Sequence, residues 1–479
     1  MAEVTGPDLS RSRRVHVIGA GGSGMSAIGT VLVAMGHRVT GSDTADSSYL
    51  RHLRELGAQV TVGHDPATAA TAEVVVRSTA IPDDDPDVIS ARAAGRTVWR
   101  RADVLAAICR LKRTLAVSGT HGKTTTSSML AITLRRLGWQ PSMIVGGEIA
   151  GFGPGAAWAP DGDWFVVEAD ESDGTFIELG AEAVIVTSVE ADHLEHYGGL
   201  GGLEAAFDRF VVEPPGPALV CADDPGAIRL AETRRAAGRR PTTYGASSGS
   251  DLRVSDIELA RGSAMFTVTV VDGAALGRPD LTGSSGRVEL AVPGRHNVLN
   301  AAGVIALVTS LGGEWPATLE AIGAYRGVGR RFEDRGQVQG VSFVDGYDHL
   351  PTEVAAAIAT AVSGGWSRIV AVFQPHRYSR TEALWADFAD AFEGADVVVI
   401  TGIYAAGEAP RPGVTGDLIA DAVRRAHPEA DVRYAGGLDE AGALVTTILR
   451  PGDLCLTLGA GDITTLADRI QKQMNERAR

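Results

Sequence analysis

Short apolar runs alternate with longer amphipathic stretches along most of the chain, and nearly every apolar run ends in glycine or polar residues. This pattern predicts strands followed by helices, the order that builds parallel sheets covered by helices. The chain is therefore predicted to be an α/β protein. The clearest predicted strands span residues 15–18, 38–40, 59–62, 74–76, 115–117, 164–167, 183–186, 341–344, 369–373 and 454–458.

The alternation falls into three blocks, which predict domains at residues 1–112, 113–328 and 329–479. A chain of 479 residues is long enough for three domains of about 150 residues each. Between residues 239 and 294 the chain is rich in glycine, serine and threonine and alternates with a period of two. This stretch predicts an antiparallel insert beside the parallel sheet of the central domain. Residues 327–331 are predicted to form a hinge into the third domain.

Residues 119–126, Gly-Thr-His-Gly-Lys-Thr-Thr-Thr, lie between the apolar run 115–117 and a helical pattern that continues to residue 137. This context predicts a phosphate loop, in which backbone amides and a helix N-terminus bind an anion and Lys-Thr supplies a phosphate contact and a Mg²⁺ ligand. Of the 44 basic residues, lysine occurs only at 112, 123 and 472. Lysine at 123 therefore favours a compact ammonium between phosphates, and the expected ligand is ATP.

A second glycine-rich loop, Gly-Ala-Gly-Gly-Ser-Gly at residues 19–24, follows the predicted strand 15–18, and Asp43 ends the next strand. This spacing is typical of a Rossmann-like domain that binds a dinucleotide. The motif itself indicates only that a diphosphate can lie on a helix N-terminus. NAD and a UDP-sugar both carry a diphosphate, so both ligands stay open at this point.

Two predicted strands of the central domain end near metal-binding side chains. Glu168 follows the strand 164–167, and His193 comes shortly after the strand 183–186. Because ligands of open parallel sheets gather at the carboxyl ends of the strands, these residues are expected to converge with the phosphate loop. We expect Thr124, Glu168 and His193 to bind Mg²⁺ together with phosphate oxygens and water. Asn297, in a segment that opens a helix, either reaches the nucleotide or caps the helix.

The third domain, also predicted to be Rossmann-like, carries glycine, tyrosine, histidine or arginine at four strand ends, residues 345–351, 374–381, 402–408 and 459–462. Four such ends indicate a binding face more than unrelated surface loops. Arg377 and Arg380 are suited to a carboxylate.

Composition narrows the choice of partners. A formal net charge of −15 argues against nucleic acid or an anionic membrane as a partner. Cys109, Cys221 and Cys455 are far apart and form no metal-binding spacing, so we expect buried, reduced thiols in a cytoplasmic protein. No apolar run approaches the ~20 residues of a membrane span, and we expect no signal peptide.

With these motifs the chain resembles the Mur ligase family over nearly its whole length, and within it the members that attach L-alanine to UDP-N-acetylmuramate. Residues 119–126 match the family's ATP loop, and residues 373–380, Phe-Gln-Pro-His-Arg-Tyr-Ser-Arg, resemble the segment those members use around L-alanine. The resemblance implies ATP and Mg²⁺ as cofactors and UDP-N-acetylmuramate and L-alanine as small-molecule substrates, in the cytoplasm. It leaves the oligomeric state open.

The resemblance also implies which residues form each part of the site. The implied catalytic residues are Lys123, Glu168 and His193, and the implied metal ligands are Thr124, Glu168 and His193. The implied ATP-binding residues are Gly119, Thr120, His121, Gly122, Lys123, Thr124, Thr125, Asn297 and Arg331. The UDP-sugar is expected to bind to Gly21, Gly22, Ser23, Gly24, Asp43, His64 and Ser78, and the amino acid to Tyr347, His349, His376, Arg377 and Arg380.

The chain departs from the family pattern in three places. The pattern has two aspartates before the tyrosine and Gly-His-His after it, whereas here Asp345-Gly346 precede Tyr347 and Asp348-His349-Leu350 follow it. Ser188 replaces a common asparagine. Several members of the wider family use a carbamylated lysine for a second metal, but there is no lysine between 123 and 472, so a second Mg²⁺ would need other ligands.

The resemblance implies that the lactyl carboxylate attacks the γ-phosphate of ATP, and that the alanine amine then displaces phosphate from the acyl phosphate. Closure around residues 327–331 would exclude water. One alternative is a ligase that attaches a preformed peptide to the same sugar nucleotide. An NAD-dependent oxidoreductase would explain residues 19–24 and leave the phosphate loop unused, and a non-enzymatic ATP switch would leave the third domain unused.

Overall fold

A computed structural model describes residues 6–236 and 240–477, without the side chains of 234–236 and 477. The chain forms two compact units. The first comprises Met1–Ser255, Thr267–Val288 and Leu299–Tyr325, and the second comprises Asp256–Phe266, Glu289–Val298 and Arg326–Arg479. The predicted start of the insert, Arg239, lies outside the described residues. The domain boundaries at 112 and 328 stay predictions.

Strands and helices alternate in the N-terminal part of the first unit, as the apolar pattern predicts. The elements are β1 (Arg14–Ile18), α1 (Ser23–Ala34), β2 (Arg38–Asp43), α2 (Ser48–Glu55), β3 (Gln59–Val62), α3 (Pro66–Thr71), β4 (Val74–Arg77), α4 (Pro86–Ala93), β5 (Val98–Arg100) and α5 (Arg101–Cys109). The strands form a parallel sheet in the order β3-β2-β1-β4-β5. The order reverses between β1 and β4, which is where doubly wound sheets bind ligands. The glycine-rich loop follows β1 at this reversal.

The central part of the chain contributes a ten-stranded sheet. Its elements are β6 (Arg113–Ser118), α6 (Lys123–Arg136), β7 (Ser142–Ile149), β8 (Gly153–Ala157), β9 (Trp164–Glu168), β10 (Ala183–Val186), α7 (Leu194–Tyr197), α8 (Leu200–Val212), β11 (Ala218–Cys221), α9 (Pro225–Ala236), β12 (Thr242–Gly245), β13 (Leu252–Ala260), β14 (Ser263–Val270), β15 (Ser285–Leu290), α10 (Arg295–Ser310) and α11 (Trp315–Ile322). The order is β15-β14-β13-β12-β11-β10-β6-β9-β7-β8.

Two features of this sheet differ from the sequence-based expectation. The predicted insert corresponds to β13, β14 and β15, which continue the same sheet at its β12 edge, and β12 pairs with β13 in parallel. At the other edge β7 and β8 form an antiparallel hairpin that the sequence pattern did not predict. The hairpin is glycine-rich and has a register shift, so it lacks the regular alternation that identifies a strand.

The second unit contains a six-stranded sheet. Its elements are β16 (Glu333–Val338), β17 (Val341–Gly346), α12 (Pro351–Ser363), β18 (Arg368–Phe373), α13 (Tyr378–Leu384), β19 (Val397–Thr401), α14 (Asp417–Ala426), β20 (Asp431–Ala435), α15 (Leu438–Ile448), β21 (Asp453–Leu458) and α16 (Leu466–Arg477). The order is β16-β17-β21-β18-β19-β20, parallel except for the unpredicted edge strand β16. Gly346 and Phe373 both pair with Leu458, so three strand ends lie side by side.

The cysteines agree with the prediction. Cys109, Cys221 and Cys455 are buried and carry free thiols. Burial raises the pKa of each thiol to about 12, which makes all three poor nucleophiles. In the ranges 6–236 and 240–477, no helix is both long and apolar enough to cross a membrane.

Packing of α10 against β12 gives a testable prediction. Tyr244 is buried, its hydroxyl donates to the Val186 carbonyl at 3.2 Å, and a Cβ at Gly303 would lie 2.7 Å from its ring. We expect Gly303→Ala to lower the free energy of unfolding by about 1–3 kcal/mol because the rigid ring must shift. This loss opposes the helix preference of alanine, which is worth up to about 1 kcal/mol.

Urea denaturation measures this change. Gly249→Ala is the matched control, because its new methyl group would meet no heavy atom within 4 Å. The control is expected to leave the unfolding midpoint unchanged. Equal losses in the two variants would contradict the packing argument.

Candidate functional site

The glycine-rich loop after β1 is held in shape by its own residues. The Gly21 amide donates to Asp43 Oδ2 at 2.8 Å, and the Gly22 amide donates to the Gly19 carbonyl at 3.1 Å. The other oxygen of Asp43 accepts from the Ala45 amide at 2.9 Å. The two amides and the carboxylate were predicted to bind the UDP-sugar, but the structure uses them to fix the loop.

The next two residues, Ser23 and Gly24, open α1 and line a cavity of about 570 Å³ within the first unit. Their amides belong to the first turn of the helix, where amides have no partner inside the helix. A Cβ at Gly24 would lie 3.1 Å from Arg101 Nη1, so this guanidinium covers the first turn. The helix N-terminus and the arginine together favour an anion. Arg101 was not among the predicted site residues.

Acidic residues line the same cavity. Glu168 and Asp170 follow β9, and both contribute to the cavity wall. Thr124 Oγ1 donates to Glu168 Oε1 at 3.0 Å, and the Gly146 amide donates to Glu168 Oε2 at 2.7 Å. The structure therefore brings the start of α1 and one predicted metal ligand, Glu168, to one cavity, and a second predicted ligand, Thr124, is hydrogen-bonded to Glu168. Hairpin residues complete the wall, including Ile144, Val145, Gly147, Glu148, Pro154 and Gly155.

The phosphate loop joins β6 to α6 as predicted, and its backbone requires glycine. Gly119 has φ +138° and Gly122 has φ +80°, a region that other residues rarely adopt. A Cβ at Gly119 would also lie 2.1 Å from Thr187 Oγ1. The His121 amide donates to Ser188 Oγ at 2.9 Å. Ser188, one of the departures from the family pattern, thus helps to hold the loop.

Lys123 is held by a buried acid that was not predicted. Its Nζ donates to Glu171 Oε1 at 2.8 Å and to the Gly119 carbonyl at 2.7 Å. Burial opposes the charge of Lys123, but attraction from Glu171 and Asp170 outweighs it and raises the pKa of Lys123. Burial also raises the pKa of Glu171, whereas Lys123 acts to lower it. The ammonium of Lys123 therefore stays charged beside the phosphate loop.

In the second unit, three of the five residues predicted to bind the amino acid form a cluster of rings, and a fourth, Arg380, is hydrogen-bonded to this cluster. Ring centroids of Tyr347 and His349 are 5.5 Å apart, and those of His349 and His376 are 5.8 Å apart. His376 also stacks on Tyr404 at 5.6 Å, and Arg380 Nη1 donates to His376 Nδ1 at 3.2 Å. The fifth, Arg377, precedes α13 with φ +70°.

Both imidazoles of the cluster are neutral. Burial, with the positive charges of Arg380 and Arg377, lowers the pKa of His376 to about 4. Burial also lowers the pKa of His349, although the Glu353 carboxylate acts against it. His349 Nδ1 lies 3.0 Å from the Tyr347 carbonyl and 3.3 Å from Glu353 Oε2. Two acceptors at Nδ1 place the proton there and leave Nε2 as an acceptor.

Three Mur ligase family models match the chain in succession. The model described as "Mur ligase family, catalytic domain" matches residues 14–113, "Mur ligase middle domain" matches 117–308, and "Mur ligase, glutamate ligase domain" matches 330–461. The UDP-N-acetylmuramate–L-alanine ligase of Nitratidesulfovibrio vulgaris (strain DP4) is 41% identical over 463 residues, which cover 96% of this chain and 98% of the relative. The chain belongs to the Mur ligase family.

A second relative and a solved structure support the same family. The UDP-N-acetylmuramate–L-alanine ligase of Thermobifida fusca (strain YX) is 42% identical over 480 residues and covers 98% of both chains. The crystal structure of the UDP-N-acetylmuramate-alanine ligase from Thermotoga maritima has a TM-score of 0.79 and 28% identity, covering 97% of this chain and 100% of that one. The resemblance and the three-domain α/β fold are thus confirmed, and the oxidoreductase alternative loses its support.

Some site residues implied by the Mur ligase resemblance have other contacts. His193 Nε2 lies 3.4 Å from Asp192 Oδ2, and its described contacts include neither Thr124 nor Glu168. The Asn297 side chain is buried and donates to the Pro293 carbonyl at 2.6 Å.

A different asparagine lies at the phosphate loop. A Cβ at Gly122 would lie 2.9 Å from Asn300 Oδ1, so the Asn300 amide packs against the loop. Asn300 comes one helical turn after Asn297 on α10, and this spacing was the only signal in the sequence.

His64 and Ser78, also implied UDP-sugar ligands, are not among the described residues that line the cavity. His64 Nδ1 lies 3.5 Å from Asp85 Oδ2. Ligand atoms of His64, Asp85 and Asp87 lie within 4.8 Å of one another, close enough to share a metal ion. However, Asp85 caps α4, and Asp87 accepts from Ser42 Oγ at 2.5 Å, so both carboxylates already serve the fold.

Two histidines of the second unit predict how the stability of the fold changes with pH. Burial is the main cause that lowers the pKa of His296 and of His376 to about 4. In the unfolded chain a histidine has a pKa of about 6.5. Between these values the unfolded chain binds more protons, so stability falls as the pH falls through this window and levels off below it.

His376→Gln removes one of the two groups. We expect the unfolding midpoint in urea to fall less steeply with decreasing pH in this variant than in the wild type. The comparison covers about pH 7 to about pH 4, the window set by the two pKa values. Parallel pH profiles would contradict the assignment.

Proposed function

We propose that this chain joins L-alanine to the lactyl carboxylate of UDP-N-acetylmuramate in an ATP-dependent reaction that makes a peptidoglycan precursor. One observation carries the proposal: a single cavity is lined by Ser23 and Gly24 of α1 and by Glu168 and Asp170 beside the phosphate loop. A sugar nucleotide whose diphosphate lies on α1 would extend its muramate carboxylate toward the γ-phosphate of ATP. The relatives that match nearly the whole chain support L-alanine as the acceptor.

The UDP-sugar diphosphate is proposed to bind to the Ser23 and Gly24 amides and to Arg101. These amides lie at the positive end of α1, and the guanidinium above them can donate two parallel hydrogen bonds. The cavity wall also includes Tyr49 and His52. These aromatic and polar side chains are suited to the sugar.

ATP is proposed to bind to the phosphate loop, with Lys123 against the transferring phosphoryl group. A lactyl oxygen attacks the γ-phosphorus, the bond to the bridging oxygen breaks, and ADP leaves. The alanine amine then attacks the acyl carbon, and phosphate leaves as the amide bond forms. The ammonium of Lys123 stabilises the charge on the phosphoryl oxygens in the first step.

Mg²⁺ is the proposed metal. The Thr124 hydroxyl and the Glu168 carboxylate, which lie 3.0 Å apart, are the hard oxygen donors that this ion prefers. They would hold Mg²⁺, with His193 as the third proposed ligand. The ion, when bound, supplies positive charge to the phosphate oxygens of ATP.

L-Alanine is proposed to bind in the second unit. Arg377 and Arg380 would bind its carboxylate, and Nε2 of the neutral His349 imidazole can accept a hydrogen bond from its amine. Neutral imidazoles suit this role because a cationic ring would repel the ammonium of the amino acid. Closure around residues 327–331 stays a prediction.

Phosphate release from ATP and Mg²⁺ with UDP-N-acetylmuramate tests the function, with mass detection of the product. We expect release and a product heavier by one alanyl residue when L-alanine is present. Lys123→Ala is expected to abolish turnover while the UDP-sugar still binds. A product formed only with L-alanyl-D-glutamyl-diaminopimelate would assign the chain to peptide attachment instead, and release with neither acceptor would overturn the ligase proposal.

Arg101→Ala tests the proposed diphosphate site. Loss of a charge-assisted contact is expected to raise KM for UDP-N-acetylmuramate by about 10- to 100-fold and to leave KM for ATP nearly unchanged. Arg100→Ala is the matched control, because Arg100 pairs with Asp103 at 2.6 Å and with Glu178 at 3.0 Å. Similar KM changes in the two variants would contradict a specific role for Arg101.

A further inference from the structure

The ammonium of Lys123, in the first unit, has an acceptor for each of its N–H groups. An ammonium carries three donors, and here they meet the Gly119 carbonyl at 2.7 Å, the Thr120 carbonyl at 3.2 Å and Glu171 Oε1 at 2.8 Å. The lysine of a phosphate loop binds the terminal phosphates of a nucleotide through the same donors. A nucleotide that binds to this loop must therefore displace one of the three acceptors.

Of these acceptors, Glu171 is the one that can move without a change in the loop backbone. The two carbonyls belong to the phosphate loop, whose backbone is bonded to the segment that follows β10. The Thr120 amide donates to the Ser188 carbonyl at 3.1 Å, and the His121 amide donates to Ser188 Oγ at 2.9 Å. By contrast, the Glu171 carboxylate reaches Lys123 through side-chain bonds that can rotate. A phosphate at Lys123 would therefore take the place of Glu171 Oε1.

The Glu171 carboxylate depends on Lys123 for its hydrogen bonding. The residue is only 2% exposed, and its Oε2 accepts no hydrogen bond from the residues that the structure describes. The backbone of Glu171 is anchored, because its carbonyl accepts from the Gly174 amide at 3.1 Å and from the Tyr197 hydroxyl. Displacement from Lys123 would leave a buried carboxylate without its counter-ion, which is costly. The contact between Lys123 and Glu171 therefore opposes any ligand that needs the same ammonium.

We propose that the Glu171 carboxylate and the terminal phosphate of a nucleoside triphosphate compete for the ammonium of Lys123. Carboxylate and phosphate oxygens are both anionic and both accept charge-assisted hydrogen bonds, so one can replace the other at the same N–H group. Glu171 is thus a positioning residue, which holds the ammonium beside the loop and lowers the affinity for the nucleotide. The inference rests on the proposed function for the identity of the nucleotide as ATP.

Titration calorimetry with ATP and Mg²⁺, without the other substrates, tests the competition. Glu171→Gln keeps the shape of the side chain and an oxygen that can accept from Lys123, but it removes the charge. Because a neutral acceptor binds an ammonium more weakly than a carboxylate does, we expect this variant to bind ATP about tenfold more tightly than the wild type. A residue that only supported the loop would weaken ATP binding when changed. Unchanged or weaker binding would therefore overturn the proposal.

Asp173→Asn is the matched control for the loss of a negative charge. Asp173 lies in the same turn as Glu171, and its carboxylate accepts from the Thr175 amide at 3.1 Å. The change removes one charge and leaves the contact between Glu171 and Lys123 in place. We expect ATP affinity to stay within about twofold of the wild type, because a charge without a direct contact is screened. Equal tightening in both variants would indicate general repulsion of phosphate and overturn the proposal.

A Lys123→Ala background isolates the competition itself. Without the ammonium, Glu171 and phosphate have nothing to compete for. Adding Glu171→Gln to Lys123→Ala is therefore expected to change ATP affinity by less than about twofold. Tightening as large as in the single variant would contradict the proposal, and thermal melts check that each variant is folded.

A crystal structure of the wild type with Mg²⁺ and a β,γ-imido analogue of ATP provides a test that needs no variant. We expect an oxygen of the terminal phosphate within hydrogen-bond distance of Lys123 Nζ, and Glu171 Oε1 beyond that distance. A bound terminal phosphate with the contact between Glu171 and Lys123 intact would overturn the proposal.

The outcomes also separate this inference from the proposed function. If the wild type binds no ATP, both are overturned. If the wild type binds ATP and Glu171→Gln does not bind it more tightly, only the inference is overturned.

Discussion

The buried charge of Lys123 is the constraint on which the arrangement of the first unit depends. An ammonium taken out of water is costly unless acceptors surround it. Here the acceptors are Glu171, only 2% exposed, and the Gly119 carbonyl. Glu171 can reach the lysine only because β9 pairs with β6 in parallel and ends beside the phosphate loop. The same strand end then turns Glu168 and Asp170 toward the cavity.

A cavity shared by two sheets brings the other polar groups of this unit together. The carboxyl ends of β1 and β9 are followed by segments that line one cavity, although the strands belong to different sheets. A helix N-terminus and an arginine provide positive charge at one part of the wall, and carboxylates provide negative charge at another. The proposed diphosphate and the proposed cation would therefore bind at separate parts of this wall. Because the protein has a net charge of −15, an anionic ligand depends on such local positive groups for binding.

The second unit uses the same principle with different side chains. Its strand ends carry neutral rings and arginines, because burial lowers the pKa of His349 and His376 and so disfavours a second proton on either imidazole. In the same unit, the Asp348 carboxylate lies in the space beside Gly346 that a side chain at position 346 would fill.

Much of the architecture followed from local pattern. The predicted strands 59–62 and 183–186 agree residue for residue with β3 and β10, and both glycine-rich loops join a strand to a helix as expected. Apolar periodicity and glycine spacing act over a few residues, so a single sequence contains them. The family resemblance could likewise be recognised from the sequence, because its motifs are short and contiguous. The family models and relatives confirm it.

The tertiary structure decided which polar groups meet. Glu171 is 48 residues from Lys123, Asn300 belongs to a distant helix that packs on the loop, and Arg101 covers a helix that begins at Ser23. Likewise, the Asp43 carboxylate, predicted as a UDP-sugar ligand, accepts a hydrogen bond from the Gly21 amide within the loop. Each of these pairs depends on strand order and on the direction of side chains at strand ends. Those are set by long-range packing, for which the local sequence pattern carries no signal.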